Sequence, residues 1–305
     1  MDRYGLATRA ELVGAGFTDG ELRRRRRDGR LHRVARGSYA AGDDPRVVDA
    51  AARHRLRVRA ALRRAAPGAV ASHASAALLH GLPTWGLPTS LVHLTRDRPG
   101  GGRRERLRHV HAAPLRPDEV TEVDGVAVTT VARTVVDLAR TLAFEAAVVA
   151  ADAALGAGLV STASLAVAVG RAGGRRGGPA ASRVVAFADG RSASVGESRS
   201  RVALHEAGLP APRLQWEVRD SGRLLGRTDF GWPGQRVVGE FDGRVKYGRR
   251  GVPAISGEAP ADVVWAEKRR EDALRAAGLH VVRWTWADLT DFGPTAQRLR
   301  AVLRR

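Results

Sequence analysis

The chain has 305 residues, a length above the roughly 100 to 200 of one domain, so two or three domains are expected. Lys and Arg number 51 against 32 Asp and Glu, a formal net charge of +19 that favours a polyanionic partner, nucleic acid first. The absence of cysteine excludes disulfides, thiolate nucleophiles and cysteine-ligated zinc, and fits a reducing cytoplasm.

The first block, residues 1–41, has the pattern of a winged helix-turn-helix. Thr8 begins one helix, Gly14 to Gly16 make a turn, Thr18 or Asp19 caps a second helix, and "RLHRVARGSY" reads as a hairpin. The second helix carries Arg23, Arg24, Arg25, Arg26 and Arg27. Five successive residues at about 100° each reach every face, so some of these guanidiniums point outward toward a groove. Arg30, Arg33 and Arg36 continue the charge into the wing. Double-stranded DNA is the expected partner, against the plainer reading of a solvated helix in an arginine-biased chain. Only Lys246 and Lys268 are lysines, and with abundant Ala and Gly this bias suits a GC-rich genome.

Residues 42–188 read as an α+β domain: helices 46 to 66 and 72 to 80, strands near 90 to 95, 106 to 112 and 119 to 129, then helices 131 to 142 and 144 to 155. His73, His80, His93, His109 and His111 raise the question of a metal. His109 and His111 share one face of a strand but lack acidic neighbours in sequence, so structural histidines are expected. "RAGGRRGGPA", 171 to 180, reads as a flexible turn or linker.

Residues 189–305 alternate more sharply. Ser194 caps a helix that stops at Gly208; strands "RLQWEVRD", "RLLGRTDFGW" and "RVVGEFDG" follow. A long loop 247 to 260, the helix "ADVVWAEKRREDALRAAG", the strand "LHVVRWTW" and a terminal helix complete the order αβββαβ. Trp232, Trp265, Trp284 and Trp286 fall where a core would use them.

Strand alternation sends Glu240 and Asp242 to one face, and hairpin pairing brings Asp229 against Glu240. Carboxylates that close repel unless a hard cation lies between them, and such oxygen donors suit Mg²⁺ or Mn²⁺. The plainer alternative is a set of surface acids paired with arginines. Arg270 lies among apolar neighbours on the sheet-facing side of its helix, where a pair with Asp242 or Glu240 would offset its desolvation.

From about residue 192 to 290 the chain resembles the Vsr-like branch of the PD-(D/E)XK nuclease superfamily, on Glu197, the Asp229 hairpin, "GEFDG", "EKRREDALRAAG" and "VVRWTW". The resemblance implies that Asp229 and Glu240 hold the metal, with Glu197 assisting. The lysine expected two residues after the glutamate is Asp242 here, and Lys246 is the residue favoured to replace it. The first two blocks, notably "ASHASAALLHGLP" and "TTVARTVVDLAR", resemble the AbiEi-type abortive-infection antitoxins, which are winged-helix DNA-binding regulators. That likeness implies duplex binding and leaves room for a cognate toxin as partner.

Two functions therefore stand: a DNA-binding, Mg²⁺- or Mn²⁺-dependent endonuclease in phage defence or DNA processing, or a non-enzymatic regulator with a degenerate nuclease fold. No run of about 18 apolar residues and no signal-peptide core is present, so a cytoplasmic protein without a membrane span is expected.

Overall fold

Two capping boxes set the first helices. Thr8 Oγ1 accepts the Glu11 N–H at 3.1 Å while Glu11 accepts the Thr8 N–H at 2.8 Å, and Thr18 and Glu21 repeat the exchange. The computed structural model describes residues 1–2, 4–243 and 261–304. They form a mixed α and β chain with three sheets, divided into two compact units: Met1–Ala150 with Gly158–Phe187, and Ala151–Ala157 with Ala188–Arg305.

In the first unit, β1 (Ala7–Thr8), α1 (Arg9–Gly14), α2 (Asp19–Arg27), β2 (Leu31–Ala35) and β3 (Ser38–Ala41) build a small antiparallel sheet in the order β1-β3-β2. Ala7, Leu12, Leu22, Leu31 and Tyr39 close its core. There follow α3 (Ala50–Leu62), β4 (Ala69–Ala71), α4 (His73–Leu79), β5 (Val92–Arg96), β6 (Arg103–Arg104), β7 (Arg108–Ala112), β8 (Val120–Val123) and β9 (Val126–Thr129). Their sheet runs β6-β7-β5-β4-β9-β8. Helices α5 (Val131–Thr141), α6 (Phe144–Gly156), α7 (Thr162–Ala172) and α8 (Gly178–Phe187) come next, and the division between the units falls within α6.

The helix expected over 46 to 66 is broken. Pro45–Val47 form a short 3₁₀ turn, and Asp49 then caps α3 by accepting the Ala52 N–H at 2.6 Å. Strands β4 and β6, three and two residues long, are too short to show a period. The expected linker at 171 to 180 reduces to the turn between α7 and α8.

In the second unit α9 (Val195–Glu206) leads into β10 (Arg213–Asp220), β11 (Arg223–Trp232) and β12 (Val237–Asp242), then α10 (Ala261–Ala276), β13 (His280–Thr285) and α11 (Gly293–Leu303). The sheet order is β10-β11-β12-β13, antiparallel except for the parallel β12–β13 pair. Alternation sorts the two faces. Phe230, Val237 and Trp284 pack with Leu204 and Leu299 of the flanking helices α9 and α11, while Val218 and Val238 pack with Leu274 of α10. Trp265 departs from its expected place: it is 61% exposed, because it lies five residues, about 140° of helix, from the sheet-facing Arg270.

Trp284 is the anchor of this unit. It is 1% exposed, and its Nε1–H donates to the buried Ser200 hydroxyl at 2.7 Å, tying β13 to α9. Its ring lies over Gly239, where an added Cβ would stand 2.5 Å from the indole. Gly239→Ala is expected to cost about 1 to 3 kcal/mol through overpacking against this fixed ring. Urea denaturation of the full chain would register that loss as a lower midpoint.

Candidate functional site

Helix α2 turns its charge outward. Leu22 is buried and Arg25 is half-buried, with its guanidinium 4.7 Å from the centre of the Phe17 ring. At about 100° per residue, Arg23, Arg24 and Arg27 fall on the side away from Leu22, and all three are exposed, as is Arg26. Arg30, Arg33 and Arg36 are exposed on and around the β2–β3 hairpin. The two acids within α2 are committed: Asp19 binds Arg9 through two hydrogen bonds of 2.8 and 2.5 Å, and Glu21 completes the cap of α2, with Arg24 at 4.0 Å.

The carboxylates of the second unit sit at one end of its sheet. The antiparallel register of β11 and β12 pairs Phe230 with Gly239, so the next step places Asp229 opposite Glu240. On the other side Gln215 lies opposite Asp229, between the pairs Leu214/Phe230 and Trp216/Thr228. Gln215 has left-handed backbone, φ 50°, and its amide donates to Glu197 at 2.8 Å. Glu197 is buried and also accepts the Ala193 N–H and the Ser194 hydroxyl. Glu197 thus closes the first turn of α9, its own N–H donating to the Ser194 hydroxyl, as well as neighbouring the carboxylate group.

Asp229 accepts the Phe241 N–H at 2.9 Å. Burial pushes its carboxyl up to about 6; the Glu197 charge adds to the rise, while the Phe241 N–H, Arg270 and Arg227 oppose it.

Glu240 is in a different state. One carboxylate oxygen lies 2.7 Å from Arg270 of α10, as expected of that arginine, and the other 3.0 Å from Arg283 of β13. Arg283 is placed by the parallel register, which sets it directly beside Glu240, and it also reaches Glu271 at 3.1 Å. Asp242 follows on the same face of β12, paired in register with Thr285, and is half-buried. Lys246 and the loop 247 to 260 lie outside the described residues. Lys268 is exposed, its ammonium 5.7 Å from the Trp265 ring centre.

Carboxylate oxygens are the right chemistry for Mg²⁺ or Mn²⁺. A metal held by Asp229 and Glu240 would share Glu240 with two guanidiniums, one beside each of its oxygens. Arg283 and Gln215 were not anticipated from the sequence. For Arg283 a signal existed: it occupies the central position of "VVRWT", an arginine in a strand whose alternate residues are core.

A third group lies in the first unit. The parallel strands β5 and β7 set His93 beside His109 and Thr95 beside His111, all on one face. His93 Nδ1 and His111 Nε2 share a hydrogen bond of 3.0 Å. His73, the first residue of α4, stacks on His111 with ring centres 3.7 Å apart. Burial holds all four imidazoles below the usual histidine range, His93 down to about 4 and His73 well below its ordinary value. His80 is separate, bonded to the Thr129 carbonyl at 2.7 Å.

No protein-family model matches the chain. It is 35% identical over 178 residues to an uncharacterized protein of Mycobacterium tuberculosis, present under that description in two strains. The match covers 57% of this chain and 62% of the relative. No helix among the described residues is long and apolar enough to cross a membrane.

The raised Asp229 value has a measurable consequence. The unfolded carboxyl ionises near pH 3.9 and the folded one near 6, so between those values the folded state holds more protons and its stability falls as pH rises. Asp229→Asn removes that loss. Relative to the parent, the variant is expected to gain about 2 kcal/mol in unfolding free energy between roughly pH 4 and pH 7.5, after discounting for the partial exposure of the site. Paired urea titrations at the two pH values would show a constant difference if the carboxyl is in fact unperturbed.

Proposed function

We propose that this protein binds duplex DNA through a winged helix-turn-helix in its first unit and acts as a non-cleaving regulator of the abortive-infection antitoxin type. The observation that carries the reading is the exposed face of Arg23, Arg24 and Arg27 on α2, continued by Arg30, Arg33 and Arg36 around the hairpin. Helix, turn, helix and hairpin follow one another in the order of that motif, and a basic second helix beside a basic hairpin is suited to a groove and its flanking phosphates. The second unit is read as a PD-(D/E)XK-like fold whose Glu240 is clamped by Arg270 and Arg283. Such a unit retains the frame of a nuclease while its central glutamate serves as a structural anion.

A second reading, a Mg²⁺- or Mn²⁺-dependent DNA endonuclease, is favoured by Asp229. It is a largely buried carboxylate that, among the described residues, makes no ion pair, and a nearby cation would lower its raised pKa. In that reading Arg270 or Arg283 leaves Glu240 when DNA or metal arrives.

Fluorescence anisotropy with labelled duplex, across a series of NaCl concentrations, tests the first reading. The triple variant Arg23→Ala/Arg24→Ala/Arg27→Ala is expected to flatten the slope of log K against log[salt] by about 0.9 for each phosphate no longer neutralised, up to about 2.7. An unchanged slope would mean that α2 is merely a solvated helix. Incubating the parent with DNA and Mg²⁺ or Mn²⁺ is expected to leave the DNA intact; metal-dependent cutting abolished by Asp229→Asn would replace the regulator reading with the endonuclease.

A further inference from the structure

The histidine group of the first unit belongs to neither the basic helix nor the carboxylates, and its chemistry differs from both. His93 comes from β5 and His109 and His111 from β7, and one ring nitrogen from each lies within 4.8 Å of the other two. His93 is 7% exposed, and its Nε2 is buried without a hydrogen-bond partner. The Pro88 carbonyl faces the ring as a weak hydrogen-bond acceptor, outside ordinary hydrogen-bond geometry to Nε2.

Protein hydrogen bonds alone satisfy this cluster only weakly at His93 Nε2. A neutral imidazole has one donor and one acceptor nitrogen. In the His93–His111 bond, His93 Nδ1 either donates, leaving Nε2 a buried lone pair, or accepts, leaving Nε2–H a buried donor. Either state leaves Nε2 with at best the weak Pro88 contact. Charging the rings offers no relief, since His73, His93, His109 and His111 lie against one another, with ring centres as close as 3.7 and 3.8 Å.

We infer that His93, His109 and His111 form a binding site for a divalent ion of the zinc, cobalt, nickel and copper class, each giving one ring nitrogen and leaving a fourth position to water. Imidazole donors without carboxylates select these metals over Mg²⁺ or Ca²⁺. At metal–nitrogen distances of about 2.0 to 2.1 Å, tetrahedral ligand nitrogens stand roughly 3.3 Å apart. The His93–His111 separation of 3.0 Å is already near that value, and side-chain rotation of His109, which is half-buried, closes the remainder. With the metal on Nδ1 of His93, Nε2 carries the proton and turns it toward the Pro88 carbonyl, the outer hydrogen bond that metal-bound histidines ordinarily make. Stacked against His111, His73 forms a wall of the site.

Nearby cations do not prevent this. Arg133 is held by Glu119 at 2.8 Å and by Asp137 at 2.9 Å, and Arg140 by Asp137 at 3.3 Å. Arg104 lies on the exposed edge strand β6, opposite His109, where solvent screens it.

The test uses the full chain, stripped with EDTA and dialysed. Titration with Co²⁺ is followed by visible ligand-field absorption, and titration with Zn²⁺ by calorimetry. The expected result is one ion per chain, a Co²⁺ spectrum of nitrogen and oxygen ligation, and shifts of the imidazole ¹⁵N signals of the three histidines on adding Zn²⁺. His109→Asn and His111→Asn should each weaken binding by about tenfold or more, while the exposed His280→Asn leaves it unchanged. Circular dichroism of the metal-free variants separates loss of a ligand from loss of the fold, and the ¹⁵N shifts report on the parent alone. A parent that takes up neither ion, histidine signals that do not move, or folded His109→Asn and His111→Asn proteins with parental affinity would overturn the assignment.

Discussion

A charge can be buried only against its opposite, and in a chain with this arginine excess that constraint organises both units. In the first, Arg133 is buried between Glu119 and Asp137. In the second, the buried Asp152 takes Arg201 at 2.5 Å, and Glu240 takes Arg270 and Arg283. Apart from the Arg133–Asp137 pair within α5, each of these contacts joins residues of different elements. Removing one partner would leave the other as an uncompensated interior charge, so these pairs specify the arrangement more than they add net stability.

The same constraint distinguishes the exposed arginines from the buried ones. On α2 the nearby acids are used in caps and in the Arg9 pair, so Arg23, Arg24 and Arg27 stand in solvent without a buried acid to draw them inward. Asp229 is the converse case, a carboxylate that receives a backbone N–H where Glu240 receives two guanidiniums. Burial, with the Glu197 charge adding to it, raises its pKa against the Phe241 N–H, Arg270 and Arg227. Neighbouring acids on adjacent strands therefore hold different electrostatic states, one neutralised by ion pairs and the other by partial proton uptake near neutrality.

The imidazole cluster follows a third course. Buried histidines can meet the desolvation penalty by giving up their charge, and burial is the leading cause of the lowered pKa of these rings. What they retain is a set of lone pairs facing one another across two parallel strands.

Much of the architecture was present in the sequence because local chemistry decides it. Thr8, Thr18 and Ser194 mark helix starts since each offers a side-chain oxygen to an otherwise unpaired N–H, and the alternation in residues 213 to 242 marks strands since one face must meet a core. The face shared by Glu240 and Asp242, and the position of Arg270 toward the sheet, follow from the same periodicities. Pairing across distance is a different matter. Register alone sets Arg283 beside Glu240 and His93 beside His109, and no periodicity within either segment contains that information. Trp265, apolar and yet exposed, shows the same limit, because its helix had its sheet-facing side already filled by Arg270 and Leu274. The sequence by itself determined the starts of the capped helices at Thr8, Thr18 and Ser194, the alternating strands of the second unit, and the abundance of arginine, since these depend on residues within a turn or two of one another. Only the tertiary structure decided which acid meets an arginine, which is left to take up a proton, and which histidines meet, since those outcomes depend on strand order and burial.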